Sequence, residues 1–220
     1  MKSLYSIFGL VLALTLTACG ADAQAEDVAA ESFQEGKDYI RLARQVPVAD
    51  DSKIEVVEAF WYGCIHCYNL EAEIVEWKKA LPEDVDFKGL PAIWRDDPME
   101  LHAKMYYANL SLNVQDVLHQ LYFDELNVGK KQLRTEASVL KLVEKHGVDP
   151  EKYRRALNSF GVNSQVQQAK SRIAALGVRG TPEIYIAGKY RLTARLAGDY
   201  DRMLEIASAL IKKERKERAQ

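Results

Sequence analysis

The chain is 220 residues long, with 30 Lys and Arg against 32 Asp and Glu, and a formal net charge of −2 at pH 7. That balance argues against nucleic acid as a partner, and 48% hydrophobic residues describe an ordinary globular protein with a sizeable core. No internal repeat or low-complexity segment interrupts it.

At the start of the chain, Lys2 followed by the apolar run "SIFGLVLALTLTA" has the charged-then-apolar order of an export signal. The run is too short to span a bilayer comfortably, and the small residues of "TACGADAQA" suit processing better than an anchor. Two cleavage sites compete there. "LTAC" resembles a bacterial lipobox, which would make Cys19 the lipidated first residue of the mature chain; "AQA" ending at Ala25 resembles an ordinary signal peptidase site. The lipobox is favoured because it lies closer to the apolar run and accounts for an otherwise odd cysteine. Either cleavage leaves roughly 195 to 200 residues, enough for one elaborated domain or two small ones. Of three cysteines, Cys64 and Cys67 then remain as an even pair in a compartment that permits disulfides.

Further along, "SKIEVVEAFWY" has the β-branched and aromatic content of a buried strand, and "YNLEAEIVEWKKAL" has helical spacing with Leu70, Ile74 and Trp77 on one side. "VDFKGLPAIW" reads as a second strand. From Pro98 to about Leu176 the pattern is almost wholly helical, with breaks expected near "SLN", "NVGKKQL", "GVDP" and "FGVN". "EIYIAGKYRLT" reads as strand, turn and strand, and "DYDRMLEIASALIKKER" as an amphipathic helix. The terminal "KKERKERAQ" mixes both signs and is expected as a solvated helix end.

The two cysteines of "GCIHC" therefore sit at a strand-to-helix junction. Gly63 is expected to allow the tight turn, and Cys64 falls at the helix start, where unpaired N–H groups and the helix dipole favour negative charge. Cys64 is the expected exposed nucleophile, its thiolate favoured by the helix N-terminus and by a protonated His66; Cys67, one turn inward, is the expected resolving thiol. A structural staple is the weaker reading, since closing a four-residue loop gives roughly 2 kcal/mol against roughly 4.7 for a hundred-residue loop. Zinc binding through Cys64, His66 and Cys67 would be crowded and lacks a second cysteine pair, and haem attachment needs a histidine where Tyr68 stands. Strand alternation sets Glu58 on one face with Ile54, Val56 and Phe60, where a buried carboxylate of raised pKa would suit proton exchange with Cys67. A solvent-facing glutamate is the alternative. His102, His119 and His146 have no ligand spacing and are expected as surface or capping residues; Trp61, Tyr62, Tyr68 and Trp94 are expected mainly in the core, with an apolar peptide groove as the alternative.

Glu58, "CIHC", "VRGTPEIYIAGKY" and the helical stretch between them together resemble the DsbA-type thiol:disulfide interchange proteins of the thioredoxin superfamily, from about Lys37 to the C-terminus. The resemblance implies an α/β thioredoxin fold with an inserted helical domain: an export signal over 1–25, thioredoxin-like parts over 26–97 and 177–220, and the insertion over 98–176. It implies a periplasmic oxidant of exported proteins, using the Cys64–Cys67 disulfide with no other cofactor and no metal, and tethered to the membrane if Cys19 is lipidated. Reoxidation by a DsbB-type quinone-linked membrane oxidase is implied too, and a monomer is expected. It further implies that Thr181 precedes a cis Pro182 facing the thiols, and that the Thr181 backbone pairs with an extended substrate segment. Ile65 stands where many relatives have proline, and Thr181 where many have valine; both positions are expected to tune redox potential and partner choice. A disulfide reductase or isomerase would share this site, and a peptide-binding chaperone would need neither thiol.

Overall fold

The computed structural model describes residues 33–95 and 97–220, so the expectations for export and for Cys19 lie outside the described residues. The sheet starts with β1 (Ile40–Arg41), two residues that are too few to show any period in sequence. β2 (Ile54–Phe60) follows and is buried along its whole length. After a tight turn comes helix α1 (Ile65–Lys79), then β3 (Val85–Pro91), parallel to β2.

Five helices follow among the described residues before the sheet resumes: α2 (Met99–Leu112), α3 (Gln115–Asn127), α4 (Glu136–Lys145), α5 (Pro150–Leu157) and α6 (Phe160–Leu176). The break expected at "FGVN" lies instead at Asn158–Ser159. The Ser159 side chain caps α6 by accepting from the Val162 N–H, so Gly161 sits in the first helical turn without ending anything. The chain then returns as the hairpin β4 (Glu183–Ile186) and β5 (Tyr190–Thr193), a single turn α7 (Ala194–Ala197) and the long α8 (Tyr200–Arg218). The spatial order is β1-β5-β4-β2-β3, with only the β2–β3 pair parallel. At the hairpin tip Ala187 and Gly188 both have positive φ, 51° and 61°. Gly188 is also pressed against the segment before β2: its carbonyl accepts from Val46 N–H at 2.9 Å, and a Cβ there would lie 2.0 Å from the Val46 oxygen.

Strand alternation divides the core. Ile54 and Val56 meet Leu70 and Ile74 of α1 and Met203, Ile206 and Leu210 of α8 on one face, while Val57 and Ala59 meet Val166 and Ile173 of α6 on the other. Each of these side chains larger than Ala59 contributes roughly 1.5–3 kcal/mol by leaving water. Phe60 and Tyr62, at the end of β2, instead enter the core of the helical block with Met105, Leu118 and Phe123, and Cys67 belongs to that cluster. The thiol pair thus lies on the seam between sheet and helical block. The C-terminal end is less solvated than its mixed charges imply: Glu214 is buried and paired with Lys189 and Arg218, at 2.7 and 2.8 Å, and Arg215 forks onto Asp84.

Candidate active site

Cys64, Ile65, His66 and Cys67 open α1, Glu58 lies on β2, and Thr181 and Pro182 form the loop before β4. Both cysteines carry free thiols. Cys64 is the N-cap of α1 and has extended backbone angles, so its side chain faces the unpaired N–H groups of the first helical turn. The Gly63 that precedes it has ordinary φ. Glycine is needed there for room, because a Cβ would lie 2.5 Å from the Trp61 indole.

The Cys64 thiol is pulled down to about 5. The largest cause is a hydrogen bond from the Cys67 thiol, and bonds from the Thr181 side chain and from the N–H groups of Cys67 and His66 add to it against partial burial. Cys64 Sγ also lies 3.3 Å from the Thr181 carbonyl, which accepts from the thiol when it is protonated. The Thr181–Pro182 peptide is cis, and Pro182 is buried. Cys67 is the opposite case: it is 0% exposed, and burial first, then the neighbouring Cys64 and Glu58, push its thiol well above the ordinary range. The pair is therefore asymmetric, with one sulfur ready to be a thiolate and the other held as a thiol.

The His66 imidazole is not directed as the sequence pattern implied. Its Nδ1 lies 3.4 Å from the Tyr200 hydroxyl, and the His66 group that supports the Cys64 sulfur is its backbone N–H. Ile65 is 48% exposed beside the thiol, free to meet a partner.

Glu58 is 3% exposed, and its carboxyl is pushed up to about 8 by burial, then by the charge of Glu71 and more weakly by Cys64. Glu71 is itself 2% exposed, and one oxygen of each carboxylate has no hydrogen-bond partner. Both line a cavity of about 650 Å³ with His119, Gln115 and Tyr106. His119 Nδ1 accepts from the Tyr62 hydroxyl at 2.7 Å and from Gln115 at 2.9 Å, which leaves Nε2 to donate toward Glu71 at 3.5 Å. Glu71 is not singled out in sequence, and His119 is expected there only as a surface or capping residue. Glu71 had a readable signal, four residues after Cys67 in the buried stripe Cys67, Leu70, Glu71, Ile74.

His119 and His102 are thus interior residues, against the expectation of surface or capping positions; only His146 is a cap, ending α4. His102 is 2% exposed, accepts from the Trp61 indole N–H at 3.0 Å and donates to the Leu133 carbonyl at 3.0 Å, and burial holds it down to about 4, so it is neutral. Of the aromatics, Tyr62 is core, Trp61 stacks on His102, Tyr68 packs partly against the helical core, and Trp94 is exposed. Among the described residues no cluster of three His, Cys, Asp or Glu side chains is placed to hold a metal ion, and no helix is long and apolar enough to cross a membrane.

Comparison with known proteins agrees with this arrangement. The DSBA-like thioredoxin domain family matches residues 65–210. The chain is 37% identical over 210 residues to the thiol:disulfide interchange protein DsbA of Azotobacter vinelandii, covering 95% of this chain and 97% of that one. It is 39% identical over 196 residues to its counterpart in Pseudomonas aeruginosa, covering 89% and 90%. The crystal structure of Pseudomonas aeruginosa DsbA superposes with a TM-score of 0.82 at 38% identity, over 86% of this chain and 98% of that chain. The fold is accordingly a thioredoxin fold with a helical insertion.

Proposed function

This chain belongs to the DSBA-like thioredoxin domain family and is a thiol:disulfide oxidoreductase; from that premise we propose that it runs as an oxidant, with Cys64 as the exchanging sulfur. The observation that carries the direction is the contrast between a Cys64 thiol pulled down to about 5 and a Cys67 thiol pushed up by burial. A stabilised Cys64 thiolate is a good leaving group and favours the reduced enzyme, which makes the disulfide a stronger oxidant. A reductase would share this asymmetry but stabilise the Cys64 thiolate less.

In the oxidised enzyme a substrate thiolate attacks Cys64 Sγ, the Cys64–Cys67 bond breaks, and Cys67 leaves and takes up a proton. Glu58, buried beside it with a carboxyl near 8, is the group proposed to supply that proton. A second substrate thiolate then attacks the substrate sulfur of the mixed disulfide and releases Cys64 as a thiolate. The substrate dithiol loses two electrons and two protons, and the enzyme disulfide gains the electrons. Thr181 and Pro182 are proposed to hold the substrate as an extended segment, with Thr181 also supporting the Cys64 thiolate; Ile65 and Thr181 would tune the potential.

The proposed substrates are exported proteins with free cysteines, met in the periplasm by a monomeric enzyme. Reoxidation would fall to a DsbB-type quinone-linked membrane oxidase. The apolar N-terminal run and "LTAC" support export and a lipid anchor on Cys19. Fatty-acid labelling that Cys19→Ala abolishes is expected, and an unlabelled mature chain starting near Glu26 would remove the anchor. The exchange itself is tested by trapping: Cys67→Ser should accumulate covalent complexes with exported cysteine proteins and Cys64→Ser few. Equal trapping by both would overturn the assignment.

A further inference from the structure

A second opening, a cleft of about 480 Å³ that shares no lining residue with the acidic cavity, extends from Thr181 and Pro182 to α7. Its walls bring together Arg179 from the loop after α6, Arg191 from β5 and Arg195 from α7, with His66 and Tyr200 on the side of the thiol helix. The carboxylate in the lining is Glu183, which is buried and already accepts from the Tyr185 hydroxyl and the Arg179 N–H. Arg179 and Arg195 are exposed and make no ion pair among the described residues, and the Arg191 Nε is buried without an acceptor. Three guanidinium groups thus converge on one opening, with one carboxylate to offset them. Guanidinium forks of this kind match carboxylates.

We propose that this cleft selects substrate segments carrying Asp or Glu next to the reacting cysteine. The loop facing the thiols is itself a wall of the cleft. Thr181, whose carbonyl lies 3.3 Å from Cys64 Sγ, itself lines the cleft with Arg179 two positions before it, so a substrate strand paired with this loop meets the arginine walls close to the reacting sulfur. The acidic side chains pair with the Arg179 and Arg195 guanidinium groups, which make no ion pair among the described residues, and their charge speeds encounter. The inference rests on the thiol-exchange reading and adds the chemistry of the substrate to it.

The test compares disulfide transfer from the oxidised enzyme to three peptides with the same cysteine pair, flanked by Glu, Gln or Lys, with dithiothreitol as an uncharged reference. At low ionic strength the Glu peptide should react about tenfold faster than the Gln peptide and the Lys peptide more slowly still, from about two- to fivefold for each exposed arginine engaged. The advantage should fall toward unity near 1 M salt, where screening acts within ~3 Å. The double variant Arg179→Gln, Arg195→Gln should lose most of the Glu-to-Gln ratio, whereas Arg179→Lys, Arg195→Lys should keep much of it. Equal rates for the Glu and Gln peptides in the parent, or a ratio unchanged in the double Gln variant, would overturn the proposal. Failure to oxidise dithiothreitol would instead count against the thiol-exchange reading itself.

Discussion

Changing Glu58 to Gln removes one ionisation from the middle of the protein and keeps the shape of the side chain. The carboxyl is raised from an ordinary 4.5 to about 8 in the folded protein. Between those values the folded state holds a proton that the unfolded chain has released, so stability is greatest below about 4.5 and falls as pH rises toward 8. At about 1.4 kcal/mol per pH unit, this one group costs about 3 kcal/mol by pH 7 and about 5 kcal/mol above pH 8. Glu71 reinforces the effect and Lys78 opposes it, and both are left in place by the substitution. The reduced Glu58→Gln protein should therefore match the parent near pH 4 and exceed it by about 3 kcal/mol at pH 7. The measurement is urea unfolding in excess reductant from pH 4 to 8.5, read as the difference between the two proteins so that groups common to both cancel. A difference that stays constant with pH would mean that the Glu58 carboxyl titrates alike in the folded and unfolded chain. The same variant should slow disulfide transfer, because Cys67 would lose its proton donor.

Thr181→Val removes a hydroxyl that supports the Cys64 thiolate, so the Cys64 pKa should rise and the reduction potential fall by ~20–30 mV, about 1 kcal/mol of lost hydrogen bonding, in a glutathione titration. His66→Ala keeps the backbone N–H and removes an imidazole turned toward Tyr200, so thiolate absorbance against pH should move less than in Thr181→Val; a larger move would return the imidazole to the role expected from sequence. Gly63→Ala sets a methyl 2.5 Å from the Trp61 ring and should lower stability by about 1–3 kcal/mol in urea, with a change in tryptophan fluorescence as the indole shifts off His102.

Local features of the sequence carried the redox motif and most of the secondary structure. The β-branched run of β2, the apolar stripe of α1 and the hairpin around Ala187 and Gly188 each follow from short-range periodicity or turn chemistry, and they bring two cysteines to a helix start. Glu58 is readable by strand alternation, and Glu71 by helical spacing, since it follows Cys67 by one turn. What could not be read is what tertiary packing assembles. His119 reaches Glu71 from α3, and His102 reaches Trp61 from α2; nothing in their local sequence distinguishes them from a surface histidine such as His146. The imidazole of His66 sits between two cysteines in sequence, yet its ring turns to Tyr200, 134 residues away. The arginine cleft draws on a loop, a strand and a helical turn, so its charge has no linear signature.

Cys64 as a stabilised thiolate in an oxidising couple is the feature on which the proposed direction of exchange depends. One paired titration decides it: thiolate absorbance of the reduced protein against pH, alongside its equilibrium with reduced and oxidised glutathione. A Cys64 transition near 5 and a disulfide more oxidising than the glutathione couple are expected. A Cys64 transition at an ordinary thiol value of about 8.5, together with a couple more reducing than glutathione, would contradict it.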